Sequence, residues 1–400
     1  MLLAFWEWRT FVYSTFFGKK SLFVIGAAAV IALSILGLTA LILQGAEAAT
    51  DRSYLSTKNL RALPALSATK DIRATNKVKE FTLTAASARW TLAEGIAIDG
   101  MAFNEQSPGP TLRVTEGDTV RVTLVNRLSE PTSVHWHGLH VPNAMDGVSS
   151  SILPPIQPGS SKTYEFMASH AGTFMYHPHG PGVNDVGQID RGLYGLFIID
   201  PQGKPGGPKY ARDYAFIIGG ATLSDEAAMT VQMDMHQMGM SGGMMMQGRM
   251  GGMSGEMAHA DAMGYNAWPV NGRVGEAIPT ILVKQGEIVR IRLANISNAN
   301  HHMHLHGQDV RVIAIDGEPL GNPMLMNTVN LAPGQTIDVD FIANNPGVWL
   351  FHCHELHHAM QGLALTVQYE GFTTDGQPMT PQMGQGNRQE MPAQMPGMKH

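Results

Sequence analysis

Residues 111–126 read TLRVTEGDTVRVTLVN, and residues 280–295 read TILVKQGEIVRIRLAN. Each holds a turn, Glu116-Gly117-Asp118 in the first and Gln285-Gly286-Glu287 in the second, followed by alternating apolar positions. Val120, Val122 and Leu124 match Val289, Ile291 and Leu293 at an offset of 169. Alternation with period two is the mark of a strand with one buried face. A second correspondence lies downstream at an offset of 175, where AGTFMYHPH (171–179) matches PGVWLFHCH (346–354). A strand-rich unit with Gly/Pro turns is therefore present twice. The reading is an all-β protein with two tandem Greek-key β-sandwich or barrel domains and little helix.

Working outward gives the rest of the organisation. Domain 1 is expected over 77–202, a linker over 203–212 (GKPGGPKYAR), and domain 2 over 213–370 with an insertion at 229–263. Residues 371–400 form a polar Gln/Met/Pro-rich tail. Residues 1–20 are an aromatic-rich cytoplasmic or interfacial segment. Ser21 to Leu43 is an apolar run behind Lys19 and Lys20, with no further charge until Glu47. That length spans a bilayer, so 21–44 is read as one transmembrane anchor, or as a signal cleaved near Ala46-Glu47-Ala48. The lysines stay inside. Residues 45–76 are then a tether, and the rest is exported to the periplasmic or extracytoplasmic face.

The composition is 44% apolar and 15% charged, with 44 Gly, 23 Pro and a formal charge of −6. No basic excess points to nucleic acid as a partner. The single cysteine, Cys353, excludes an intramolecular disulfide.

Chemistry is concentrated in four His-X-His pairs: His135/His137, His177/His179, His304/His306 and His352/His354. On a strand, an i, i+2 spacing puts both rings on one face. The first and third pairs correspond at the offset of 169, the second and fourth at 175. Cys353 lies between His352 and His354, and Pro178 takes its place in the first copy. Adjacent strand residues face opposite ways, so the cysteine can serve one metal while its neighbours serve others. Imidazole with thiolate suits copper. A structural zinc site uses four ligands and leaves the other histidines unexplained.

The motifs HWHG (135–138), YHPHG (176–180), HHMHLHG (301–307) and HCHELHH (352–358) resemble, in order, the four copper signatures of the multicopper oxidases. The resemblance spans about residues 95–370 and is to the two-domain, small-laccase-like cupredoxin type. It implies a type 1 copper on His301, Cys353 and His358, and a type 2 copper on His135 and His304. It implies a type 3 pair on His137, His177, His179, His306, His352 and His354. Four coppers per protomer follow, with O2 reduced to water by electrons from a reductant. Many family members carry an axial Met ten residues after the cysteine; here Leu363 stands there, and Met360 is the nearby substitute. Asp146 falls where the family has an acidic residue that relays protons, and a plain Asp-Gly turn is the alternative. By the same resemblance a homotrimer is expected, with the trinuclear sites at subunit interfaces.

The insertion holds twelve methionines between Met229 and Met263 and nine glycines or serines, with no regular period. Thioethers select Cu(I). Met233, Met235, Met238, Met240, Met244, Met245, Met246, Met250 and Met253 are read as cuprous-ion captors near the electron entry, against a low-complexity loop as the alternative. The leading function is oxidation of Cu(I), a detoxification. A laccase acting on phenols, a copper nitrite reductase and a non-catalytic copper-binding protein are the alternatives.

Overall fold

The computed structural model describes residues 74–75, 77–150, 153–203, 208–237 and 264–372, all within one compact unit, Ile72–His400. The expected anchor, the tether apart from residues 74–75, the tail apart from residues 371–372, and Met238 to Met253 lie outside the described residues. Among the described residues no helix is long and apolar enough to cross a membrane.

The first half is a pair of four-stranded sheets. One has the order β2-β1-β4-β6, from β1 (Val78–Ala93), β2 (Ile96–Phe103), β4 (Thr119–Asn126) and β6 (Ser161–Met167). The other has the order β3-β8-β7-β5, from β3 (Leu112–Thr115), β5 (His135–His137), β7 (Gly172–His177) and β8 (Gly195–Asp200). The second half repeats this with five strands per sheet. Its first sheet, β14-β13-β16-β11-β9, takes β9 (Arg212–Ile218), β11 (Ile288–Asn295), β13 (Val310–Ile315), β14 (Glu318–Met326) and β16 (Thr336–Ile342). Its second, β10-β18-β17-β12-β15, takes β10 (Ile281–Val283), β12 (His301–Leu305), β15 (Thr328–Leu331), β17 (Val348–Cys353) and β18 (Ala364–Tyr369). The architecture is mostly β, two cupredoxin-like sheet pairs.

The duplication extends to register. Val122 pairs with Tyr164, and Ile291 pairs with Val339, which are the same two positions displaced by 169 and 175. The alternating residues that make up the quoted repeat point inward: Val120, Val122 and Leu124 are fully buried in one core, Val289 and Ile291 in the other.

Helices are few. They are α1 (Asp185–Asp190) in the first half, then α2 (Asp225–Gln237) and α3 (Leu356–Met360) in the second. Helix α2 corrects the sequence reading, which left 229–263 without a regular element. Ser224 Oγ accepts from the N–H of Ala227, Asp225 and Glu226 sit in the first turn, and Ala228, Val231 and Met235 fall on one buried face. Cap, dipole and apolar stripe agree. That face packs with Leu92 and Ile96 from the β1–β2 hairpin and with Val274. Burying side chains such as Val231 and Met235 stabilises by roughly 1.5–3 kcal/mol each. Met235 is therefore a core residue, at 0% exposure, and its thioether is not open to a captured ion. Met229 and Met233, on the other side, are exposed.

Candidate metal centres

Strand pairing delivers the histidines. In the first domain β5 lies antiparallel to β7 with His135 opposite His177. In the second, β12 lies antiparallel to β17 with His304 opposite His352. Each i, i+2 pair then points to one face, and the rings gather into quartets. His135 meets His137, His177 and His179 at centroid distances of 5.8, 5.5 and 5.6 Å. His304 meets His306, His352 and His354 at 4.9, 5.8 and 5.8 Å. Among the described residues, ring contacts join histidines within a quartet and none joins one quartet to the other.

Partners on the outer nitrogens aim the inner ones. The Nδ1–H of His135 donates to the Asp146 carbonyl at 2.9 Å, and that of His304 to the Asn327 carbonyl at 2.6 Å. His177 and His352 donate from Nδ1 to the carbonyls of Pro178 and Cys353 at 2.9 and 2.8 Å. His179 Nδ1 bonds Asp185 Oδ2 at 2.8 Å. All five thus keep Nε2 for an ion, the arrangement that fixes tautomer and ring orientation in metal sites. His137 differs: its Nδ1 faces His177 Nε2 at 3.2 Å. Burial lowers the pKa of His135, His137 and His306, that of His177 to about 3 and that of His352 to about 4. The lone pairs are free at neutral pH.

The third group is separate. His301 Nδ1 lies 3.2 Å from His358 Nδ1, and Cys353 Sγ lies 3.7 Å from that same nitrogen. These three ligand atoms fall within 4.8 Å of one another. Ser297 Oγ is 2.9 Å from His301 Nε2, which leaves Nδ1 facing the thiol. The Cys353 sulfur also accepts from the N–H of His302 at 3.3 Å. Burial pushes the thiol up to about 11 and lowers His301 to about 3. Leu363, fully buried, belongs to the same apolar cluster as Cys353. Met360 packs in a different cluster, the one beneath α2.

Asp146 stands at the first quartet, with its carboxylate 3.6 Å from His135 Nδ1 and about a third of its side chain exposed. Gly147 follows at φ +82°, and a Cβ there would collide with the Val134 carbonyl, so the tight turn needs glycine. The turn reading of the Asp-Gly pair is met, and the carboxylate stands beside His135. Motifs gave no hint of Asp185, Ser297 or Trp268, whose ring lies 4.9 Å from His301 and 4.4 Å from His358. They carry no His-X-His spacing, and only the folded chain brings them in.

The donor sets fit copper. A buried thiol beside two imidazoles is the ligand set of an electron-transfer copper, and imidazoles gathered ring to ring suit a cluster.

Comparison with known proteins agrees. Two family models, both described as multicopper oxidase, match residues 84–204 and 252–371. A multicopper oxidase (MmcO) of Mycobacterium tuberculosis is 32% identical over 60% of this chain and 47% of its own length. A multicopper oxidase (mco) of Staphylococcus aureus is 32% identical over 64% and 52%. The chain spans about half the length of these curated relatives. The structure of a blue copper oxidase from Nitrosomonas europaea superposes with a TM-score of 0.59 at 28% identity, covering 74% of this chain and 86% of that one. A copper nitrite reductase from the same organism gives 0.58 at 25% identity, over 76% and 96%. The two matched segments cover more than half of the sequence and carry all four His-X-His pairs, and on that ground this chain belongs to the multicopper oxidase family.

Proposed function

We propose that the protein is an oxidase that takes electrons one at a time from a reductant, Cu(I), and uses them to reduce O2 to water. Copper supplies one-electron exchange at the thiolate group and four-electron reduction of O2 at the histidine quartets. His301, Cys353 and His358 would hold the type 1 ion, His135 and His304 the type 2 ion. His137, His177, His179, His306, His352 and His354 would hold the type 3 pair, four ions per protomer in all. The observation that carries the reading is the position of Cys353. Its sulfur lies in one ligand group while His352, one peptide bond away, lies in a quartet. The chain itself is then the route for electrons between the two sites.

The histidine ring contacts of each quartet stay within one domain, and we read a cluster drawing on both as one completed by a second copy. A ring in which domain 1 of one chain meets domain 2 of the next closes after three steps. In support, the cleft of about 780 Å³ beside His304 is lined by Leu325 and Ile342, both exposed apolar residues. Val186, next to the His179 partner Asp185, is exposed as well.

Cu(I) is favoured over a phenol by where the insertion is rooted. Helix α2, which leads into residues 238–263, packs on α3, the helix that carries His358. The chain emerges again at Gly264 and reaches Trp268 on the type 1 imidazoles. Both ends of the methionine-rich stretch are thus rooted at the electron-entry group. We place the protein on the exported face of a membrane, held by residues 21–44. The test is O2 uptake by the copper-loaded protein with Cu(I) and with a phenol, in the full chain and with 238–263 replaced by a short Gly-Ser linker. Loss of the cuprous activity alone supports capture. Equal loss of both, or no loss, overturns it, and a full chain that consumes no O2 with either reductant overturns the oxidase reading.

A further inference from the structure

We infer that Trp268 is the positioning residue of the type 1 group, and that domain 1 braces it through Tyr265 and Asp190. The inference rests on the reading of His301, Cys353 and His358 as a copper site. Trp268 is 1% exposed and contacts both imidazoles: edge-on to His301 (4.9 Å, 74°) and tilted over His358 (4.4 Å, 50°).

Two hydrogen bonds pin the indole to the ligand loop. The backbone N–H of Trp268 donates to the Gln361 carbonyl at 3.0 Å, and Nε1–H donates to Gln361 Oε1 at 2.7 Å. Gln361 stands three residues after His358 and two before Leu363, so ring and ligands move together. The far side of the indole is held in turn. Tyr265 packs edge-on against it at 5.4 Å and 79°, and the Tyr265 phenol donates to Asp190 Oδ1 at 2.5 Å. Asp190 ends α1 in the first domain, and α1 is fixed by the fully buried Gln188, which bonds Thr132 Oγ1 and the Pro131 carbonyl.

Two consequences follow from chemistry. The indole keeps water from the two imidazoles, and a drier site disfavours the more highly charged Cu(II) state, which raises the potential. It also limits ring rotation, so both Nδ1 atoms stay turned toward the thiol.

Trp268→Phe keeps an aromatic ring but loses area and the N–H. Tyr265→Phe keeps the ring packing and loses the hydroxyl, with its bond to Asp190 Oδ1 and the weaker one at 3.4 Å that it accepts from Asn298 Nδ2. Tyr164→Phe, an equally buried hydroxyl in the domain 1 core, is the control. Each is loaded with copper, and the visible and EPR signature, the midpoint potential and copper retention against a chelator are measured beside melting of the same samples. The expected result is a lower potential and retention weaker by about 10-fold in Trp268→Phe, the range found for groups that orient metal ligands. Tyr265→Phe should shift in the same direction by less, and Tyr164→Phe should leave all three unchanged. Unaltered type 1 properties in Trp268→Phe, whatever its melting temperature, overturn the positioning role. An unaltered Tyr265→Phe overturns the brace from domain 1. Wild-type protein that forms no blue site fails the copper reading itself.

Discussion

Thr173 of the first domain donates from Oγ1 to Asp338 Oδ1 of the second at 2.7 Å. Arg292 Nη1 donates to both of them, to Thr173 Oγ1 at 2.7 Å and to Asp338 Oδ2 at 3.1 Å. Arg292 is 3% exposed and Asp338 8%, so the two domains meet on a buried charged pair that a neutral hydroxyl completes. Beside it Met175, Leu196, Ile217 and Ala294 form an apolar seam. Thr173→Val keeps the shape and leaves Asp338 and Arg292 each short of a partner. A loss of about 1–3 kcal/mol is expected in denaturant unfolding of the metal-free protein, because both groups are buried. A change under about 0.5 kcal/mol would mean that water replaces the hydroxyl and the bond across the boundary contributes nothing net.

Asp213 gives the same seam a pH dependence. Burial alone would raise its pKa, but hydrogen bonds from Arg290 and Arg292 outweigh burial and hold it well below the usual carboxylate range. A depressed folded-state value means that the unfolded chain takes up the proton first. The stabilisation is full above an unfolded value of about 3.9 and is lost as pH falls toward the folded value. Asp213→Asn should therefore melt lower than wild type at pH 7. Between pH 4 and pH 2 its melting temperature should fall less steeply. Parallel curves would show that other carboxylates carry the acid lability.

The sequence showed the duplication and the histidine pairs because both depend on short-range spacing. Strand alternation and i, i+2 histidines are local, and the offsets of 169 and 175 reappear as strand pairing, His135 on His177 and His304 on His352. What stayed hidden depends on chain separated by long distances. Trp268 lies 33 residues before His301, and only the ring contact assigns it to the site. Met235 read as one of a run of methionines; the burial of its helix face against the β1–β2 hairpin could not be seen without that hairpin. Asp185 is the exception, only six residues beyond His179, and it stayed hidden because no motif spacing marks it.

Leu363 offers a direct test of the type 1 group. It is fully buried in the cluster that holds Cys353, and a leucine has no lone pair to give. Leu363→Met is nearly volume-conserving and should cost less than about 1.5 kcal/mol. A thioether at the axial position stabilises Cu(II), so the midpoint potential should drop, and oxidation of weak reductants should slow with it. Spectroelectrochemical titration of the blue band measures the change. An unchanged potential would place residue 363 outside the axial position.

Substitution of Asp146 tests whether proton supply can be separated from electron supply in the proposed oxidase. Reduction of O2 to water consumes four protons, and a carboxylate 3.6 Å from His135 is placed to deliver them from solvent. The substitution can be made without disturbing the ligand, because His135 is aimed by the backbone carbonyl of residue 146 and Gly147 keeps the turn. Asp146→Asn retains both. Reduction of the type 1 group by Cu(I) under anaerobic conditions should keep its rate, since that site lies in the other domain. Turnover with O2 should fall by about 100-fold, the lower end of what a positioned acid–base group contributes, with a larger solvent isotope effect than wild type. Turnover within twofold of wild type would leave Asp146 as a turn residue whose carboxylate moves no proton. Slowing of the anaerobic half-reaction as well would mean that the change had spread beyond the quartet.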